Sequence, residues 1–221
     1  MTARRNKAMT LAELILAVSI TSVIGAAAAT LTAALSSAHG QTDAMNTSIQ
    51  SGRTAMMHME ATLRKARLIC GTGDGQAVTW AGDLNEDGEI NLNELTLFQF
   101  VSDSGTVEQL QIVFPPGMSQ GSLDSLNVTI ALYSLADPDD LRDAMERRRY
   151  EDYLTRIVLA TGATDFDVVT DPAAPYSRLA LLRLTVGPAG QQIKLSNAVH
   201  LRADMVGSIR TSRGRCVLEL D

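Results

Sequence analysis

Leu14-Ile-Leu-Ala-Val-Ser-Ile-Thr-Ser-Val-Ile-Gly25-Ala-Ala-Ala-Ala-Thr-Leu-Thr-Ala-Ala-Leu35 holds no charged side chain, and its reading decides how the rest of the chain is organised. Between Lys7 and Asp43 the only charge is Glu13. An α-helix rises 1.5 Å per residue and needs roughly 20 apolar residues to cross the hydrocarbon core of a bilayer, a length this run supplies. The apolar part of a secretory signal peptide is shorter, about 7 to 15 residues, with its cleavage site behind it. Arg4, Arg5 and Lys7 lie in front of the run. The positive-inside rule therefore leaves the N-terminus in the cytoplasm and sends the body outward. The expected topology is one pass with an external C-terminal domain.

The composition fits that layout. A chain of 221 residues, 45% hydrophobic and 20% charged, accommodates one membrane helix and one globular domain of about 150 residues. Removal of Arg4, Arg5 and Lys7 would take the formal net charge from −6 to −9. An acidic body with 4% aromatic residues offers no basic footprint for nucleic acid. Cys70 and Cys216 lie far apart, outside any C-x-x-C spacing. Outside the membrane they are candidates for one disulfide, with two buried thiols as the alternative.

Beyond the span, Met45, Ile49, Gly52, Met56, Met59, Leu63, Ala66 and Cys70 recur in steps of four and three. That spacing places them on one stripe of an amphipathic helix over 39–70, packed on its own domain. Gly71-Thr-Gly-Asp-Gly75 is expected to stop it. A short strand over 76–81 follows. Then comes Asp83-Leu-Asn-Glu-Asp-Gly-Glu-Ile-Asn-Leu-Asn-Glu94, which satisfies the calcium-loop pattern D-x-[DN]-x-[DN]-G-x5-E at every specified position. Asp83, Asn85 and Asp87 offer side-chain oxygens, Gly88 the sharp turn, and Glu89 its backbone carbonyl. Asn91 stands where water often bridges, and Glu94 can bind through both carboxylate oxygens. A calcium ion is the expected cofactor. The residues before the loop read as strand where an EF-hand has helix, so the ion is expected to brace a turn, not to signal.

The rest reads mostly as strands, at 96–102, 107–114, 127–134, 155–160, 165–169, 179–186 and 191–201, an antiparallel pattern. Asp137-Pro138 opens a segment that is acidic first and ends in Arg147-Arg148-Arg149, the order that suits a surface helix. Gly117-Met-Ser119-Gln-Gly121 matches G-x-S-x-G, with Asp165 and His200 behind it. A nucleophile elbow needs strand, turn and helix, whereas Pro115-Pro116 precede this match and 127–134 reads as another strand. His39, His58 and His200 have no metal spacing. No active site is expected, and the chain is read as not an enzyme.

Glu13 is the residue that asks for a family. A carboxylate in an apolar span costs about 2.5 to 3.5 kcal/mol on insertion scales. Ala8-Met9-Thr10-Leu11-Ala12-Glu13-Leu14, behind a short basic leader, resembles the N-terminus of type IV prepilins and type II secretion pseudopilins. The resemblance covers about the first 30 residues and departs at Ala8, where the family usually has Gly. It implies cleavage by a prepilin peptidase between Ala8 and Met9, methylation of the new amine at Met9, and pairing of Glu13 with the terminal amine of a neighbouring subunit. It also implies a pilin-like α+β fold, a long N-terminal helix with its second half on a mostly antiparallel sheet. The expected division is a leader 1–8, a transmembrane and assembly helix 9–38, its amphipathic continuation 39–70, and an external domain 71–221 with the loop 83–94. The partners implied are other pseudopilins, the peptidase and an inner-membrane assembly platform. The place implied is the bacterial inner membrane, with the C-terminal domain periplasmic. Residues 52–68 are similar to minor pseudopilins of the J or W type, and the loop resembles dockerin-like repeats. The alternative is a membrane-tethered or secreted calcium-binding module or hydrolase with no part in filament assembly.

Overall fold

The computed structural model describes residues 10–188, 190–202, 208–212 and 215–218, with backbone only from residue 210 onward. The chain divides into two compact units, Met1–Met45 and Asn46–Asp221. One helix, α1 (Leu11–Lys65), contributes to both. Its residues are mostly Ala, Leu, Met and other good helix formers, with no proline.

In the first unit α1 is the described structure. Every large apolar side chain between Leu11 and Leu35 is more than half exposed. By length and composition this is a helix able to cross a membrane.

In the second unit the same helix buries a stripe. Gly52, Ala55, Met56, Met59 and Leu63 are buried, and Ile49 packs beside them. The stripe read from spacing is therefore the core face as far as Ala66. The helix stops earlier than expected, because 68–73 belongs to a strand. Among the described residues ten strands follow: β1 (Leu68–Gly73), β2 (Gln76–Trp80), β3 (Leu95–Val101), β4 (Thr106–Ile112), β5 (Leu154–Thr161), β6 (Ala163–Asp171), β7 (Leu179–Val186), β8 (Ile193–His200), β9 (Ile209–Ser212) and β10 (Arg215–Leu218). All paired strands are antiparallel, in sheets ordered β1-β2-β3-β4-β5, β6-β7-β8 and β9-β10.

Strands β1–β4 of the five-stranded sheet are buried on both faces, which explains their dense apolar residues, while the edge strand β5 is largely exposed. Ile69, Ala77, Phe98 and Val107 join α1 and β6–β8 in one core. Leu68, Cys70, Val78, Trp80, Leu95, Leu97, Leu110 and Ile112 form a second core with Leu135, Leu141, Met145 and Tyr150. The cap over that second face consists of two helices, α2 (Gln120–Leu126) and α3 (Pro138–Met145), with 3-10 turns at Leu132–Leu135 and Arg148–Tyr150. Asp137 caps α3 by accepting from the Asp139 amide, and Pro138 fills its first turn.

Three expectations are corrected here. Gly71 does not end a helix; it sits in β1 at a register shift, where an added Cβ would lie 2.0 Å from the Leu135 carbonyl oxygen. The segment 127–134 is not a strand but makes one antiparallel bridge, Asn91 with Thr129, before the turn Leu132–Leu135. A helix does follow Ser119, so the expected strand is not what disqualifies the G-x-S-x-G match. Ser119 Oγ accepts the Ser122 amide as the cap of α2 and is engaged with Ser122 Oγ at 2.8 Å.

Candidate functional site

Two places carry the chemistry the sequence singled out. The first is the start of α1. The Glu13 Oε2 accepts the Thr10 backbone N–H and the Thr10 hydroxyl, each at 2.9 Å, while Thr10 Oγ1 accepts the Glu13 amide at 3.3 Å. This is a reciprocal capping box, Thr at the cap and Glu three residues on. The carboxylate thus satisfies the helix's first donors within its own chain. Ala8 and Met9, the expected processing site, lie outside the described residues.

The second place is the loop 83–94, held between β2 and β3. Its backbone turns sharply, with Gly88 at φ 79° and Glu86 at φ 59° in the left-handed region. Asp83 accepts the amides of Asp87 (3.1 Å) and Gly88 (2.8 Å), one on each oxygen. Asp87 Oδ1 accepts the Glu89 amide at 2.9 Å, and its Oδ2 accepts from Asn85 Nδ2 and Asn91 Nδ2, both at 2.7 Å. Side chains of loop positions 3, 5 and 9 thereby meet at one carboxylate oxygen. The slight burial of Asp87 opposes ionisation, but the hydrogen bonds from Asn91, the Glu89 amide and Asn85 outweigh it and hold the carboxyl below its ordinary range.

Glu94 is placed differently from the rest. It is 1% exposed. Its Oε2 accepts the indole N–H of Trp80 at 3.0 Å and the Asn91 amide at 3.1 Å, and its Oε1 accepts the Leu84 amide at 2.7 Å. Three N–H donors on a buried carboxylate tie the end of the loop to the core of the five-stranded sheet. Glu89 points the other way and accepts the Thr129 hydroxyl. The bonds Leu92 N–H to Val128 carbonyl (3.1 Å) and Ile130 N–H to Ile90 carbonyl (2.8 Å) extend that link into a short ribbon. Neither Thr129, 40 residues from Glu89, nor Asn127, whose Oδ1 accepts the Asn93 amide at 3.2 Å from 34 residues away, leaves a local spacing in the sequence.

Carboxylate and amide side chains are the kind a hard cation such as calcium takes through oxygen, and Asn85 and Asn91 here turn their Nδ2 groups to Asp87 Oδ2. No group of three or more His, Cys, Asp or Glu side chains converges as a metal cage among the described residues. Cys70 is a free, buried thiol whose pKa burial pushes up. The side chain of Cys216, its candidate partner, lies outside the described residues.

Fold and sites together define an α+β domain preceded by one apolar helix long enough to span a membrane. No family model, curated protein or solved structure matches the chain.

Proposed function

We propose that the chain is a pseudopilin-type structural subunit, cut by a prepilin peptidase before Met9 and assembled through its N-terminal helix into a short periplasmic filament of a type II secretion or type IV pilus-like system. The observation that carries this reading is the continuity of α1. One helix begins at a Thr10–Glu13 capping box, presents an apolar surface through Leu35, and ends as the core helix of an antiparallel α+β domain. A side-by-side stack of such helices replaces lipid with apolar neighbours. Within it a new α-amine at Met9 on one subunit and Glu13 on the next would neutralise each other, and Glu13 then exchanges its bonds to Thr10 for an ion pair. Other pseudopilins and an inner-membrane platform are the partners in this reading.

Calcium in the loop 83–94 belongs to the same proposal. Asp83, Asn85 and Asp87 would hold the ion by side-chain oxygens, Glu89 by its carbonyl and Asn91 through a water, with Glu94 closing the loop. The bound ion would supply positive charge that offsets the crowded carboxylates. The protein's own bonds from Glu94 to Trp80 and from Glu89 to Thr129 then carry that order into the sheet and into 127–130.

Cross-linking in membranes of the native host tests the assembly. The unaltered chain should give a ladder of products with itself or with similar single-span subunits. Glu13→Ala should stay in the membrane and lose the ladder; an undiminished ladder refutes the assembly role. Calcium at a hundredfold its dissociation constant should stabilise the unaltered protein by about 2.7 kcal/mol, and Asp83→Ala with Asp87→Ala should abolish that gain.

A further inference from the structure

The carboxylates of Asp83, Asp87, Glu89 and Glu94 are each met by hydrogen donors of the protein itself. Asp83 accepts two backbone amides, Glu94 two amides and the Trp80 indole, and Glu89 the Thr129 hydroxyl. Asp87 is served differently. One of its oxygens takes the Glu89 amide, and the other takes two side-chain Nδ2 groups, from Asn85 and Asn91, at 2.7 Å each. These two NH2 groups bring partial positive charge to a carboxylate that, in a calcium loop, belongs to the cation.

Asparagine is the residue type that allows this. A carboxylate can only accept, whereas an amide carries a donor and an acceptor on one planar group. Its last side-chain torsion is broad and roughly two-fold, so a half-turn exchanges Nδ2 for Oδ1 at small cost. The two asparagines are not held alike. Asn91 is 2% exposed, its backbone N–H is bound to Glu94, and its backbone bridges Thr129. Asn85 is exposed, with its side chain fastened at Asp87.

We propose that Asn85 is the exchangeable group of the calcium loop: its Nδ2 takes the cation's place at Asp87 before the ion arrives, and a half-turn of the amide then offers Oδ1 to the ion. This rests on the calcium reading above and adds an order of events to it. The loop folds first, and calcium displaces an existing hydrogen bond in order to bind. Such an exchange, with an uncharged amide at the third loop position, sets the dissociation constant at about 10⁻⁴ to 10⁻³ M, the range of extracellular modules. Asn85→Asp should reverse both properties, because a second carboxylate beside Asp87 repels it and a cation is then needed to join the two.

The test uses the full chain in detergent micelles at neutral pH. Amide exchange in 83–91 is followed in excess chelator, and calcium binding by titration calorimetry. In chelator, Asn85→Asp and Asn85→Ala should each lower the protection of these amides about fivefold, the worth of one exposed hydrogen bond. Titrated with calcium chloride, the two should part. Asn85→Asp should bind about tenfold more tightly than the unaltered protein, through its added charge, and Asn85→Ala more weakly. Undiminished protection of Asn85→Asp in chelator, or calcium binding no tighter than that of the unaltered protein, overturns the exchange. Absence of calcium binding in all three proteins refutes the calcium reading itself and the exchange with it, so the two failures are told apart. Because Asn85 is exposed, neither substitution disturbs the core.

Discussion

The two halves of α1 differ in what surrounds them, not in what they are. Both are rich in good helix formers, and each carries small residues, Gly25 in one and Gly52 in the other. In the half before Met45 the large apolar side chains are spread round the helix and exposed; in the half after it all but the exposed Met57 are gathered on one side and wholly or partly buried. Nothing lies within 4 Å of a Cβ built on Gly25, whereas one on Gly52 would stand 2.9 Å from Leu195 Cδ1 and 3.1 Å from Val186 Cγ1. The difference teaches that propensity makes the helix and distribution chooses its solvent. Apolar residues all round a helix suit lipid or like helices, and an apolar stripe suits a sheet.

That contrast can be broken most decisively at Leu63, which is fully buried. Leu63→Ala should destabilise the domain by about 2 to 5 kcal/mol in denaturant unfolding. Leu16→Ala, on the exposed half, should stay within about 0.5 kcal/mol. Equal effects would mean the two halves share one environment. Next in size is the glycine pair. Gly52→Ala should cost about 1 to 3 kcal/mol by overpacking β7 and β8, reduced by the helix propensity it gains. Gly25→Ala should be neutral or raise helicity.

A smaller effect sharpens how the second half is fastened. Asn197 Nδ2 donates to Glu60 Oε2 at 2.5 Å, joining β8 to the helix. Asn197→Ala should cost about 1 kcal/mol in thermal unfolding. Ser19→Ala should cost nothing measurable, since Ser19 bonds only to the Ile15 carbonyl one turn back in its own helix.

The smallest effect separates the loop from both halves. Because Asp87 titrates below the ordinary aspartate value, its contribution is present above that value and lost as pH falls through the lower, folded one. Acidification from pH 5 to below about 4 should therefore lower the protection of the amides in 83–91 relative to their intrinsic exchange at each pH, while α1 keeps its helical signal.

Much of this fold could be read from the amino acids, and the failures have physical causes. The stripe from Ile49 to Leu63 and the strand at 179–186 follow directly from period. The helix end was misread because Ala66 and Cys70, four apart, fit helical stepping, while Leu68 and Cys70, two apart, fit a strand. Pairing with β2 settled the matter, with the Arg67 amide already bonded to the Trp80 carbonyl at 3.0 Å. The segment 127–134 has the alternating apolar residues of a strand, but of these only Leu132 is buried, carried inward by the 3-10 turn at Leu132–Leu135, while Val128 and Tyr133 stay exposed. In the loop, the residues that face one another locally were legible from spacing. The Glu94–Trp80 bond was not, since it depends on the five-stranded sheet bringing β2 and β3 together. The capping box of Thr10 and Glu13 is legible as T-x-x-E.

The central claim, that the apolar half of α1 is an assembly helix exposed by prepilin processing, is tested most directly by the intact mass and first residue of the protein recovered from membranes of its native host. The account predicts a chain that begins at Met9 and carries one added methyl group. A chain that still begins at Met1 would contradict it and leave a tethered domain, with Glu13 as no more than the cap of its own helix.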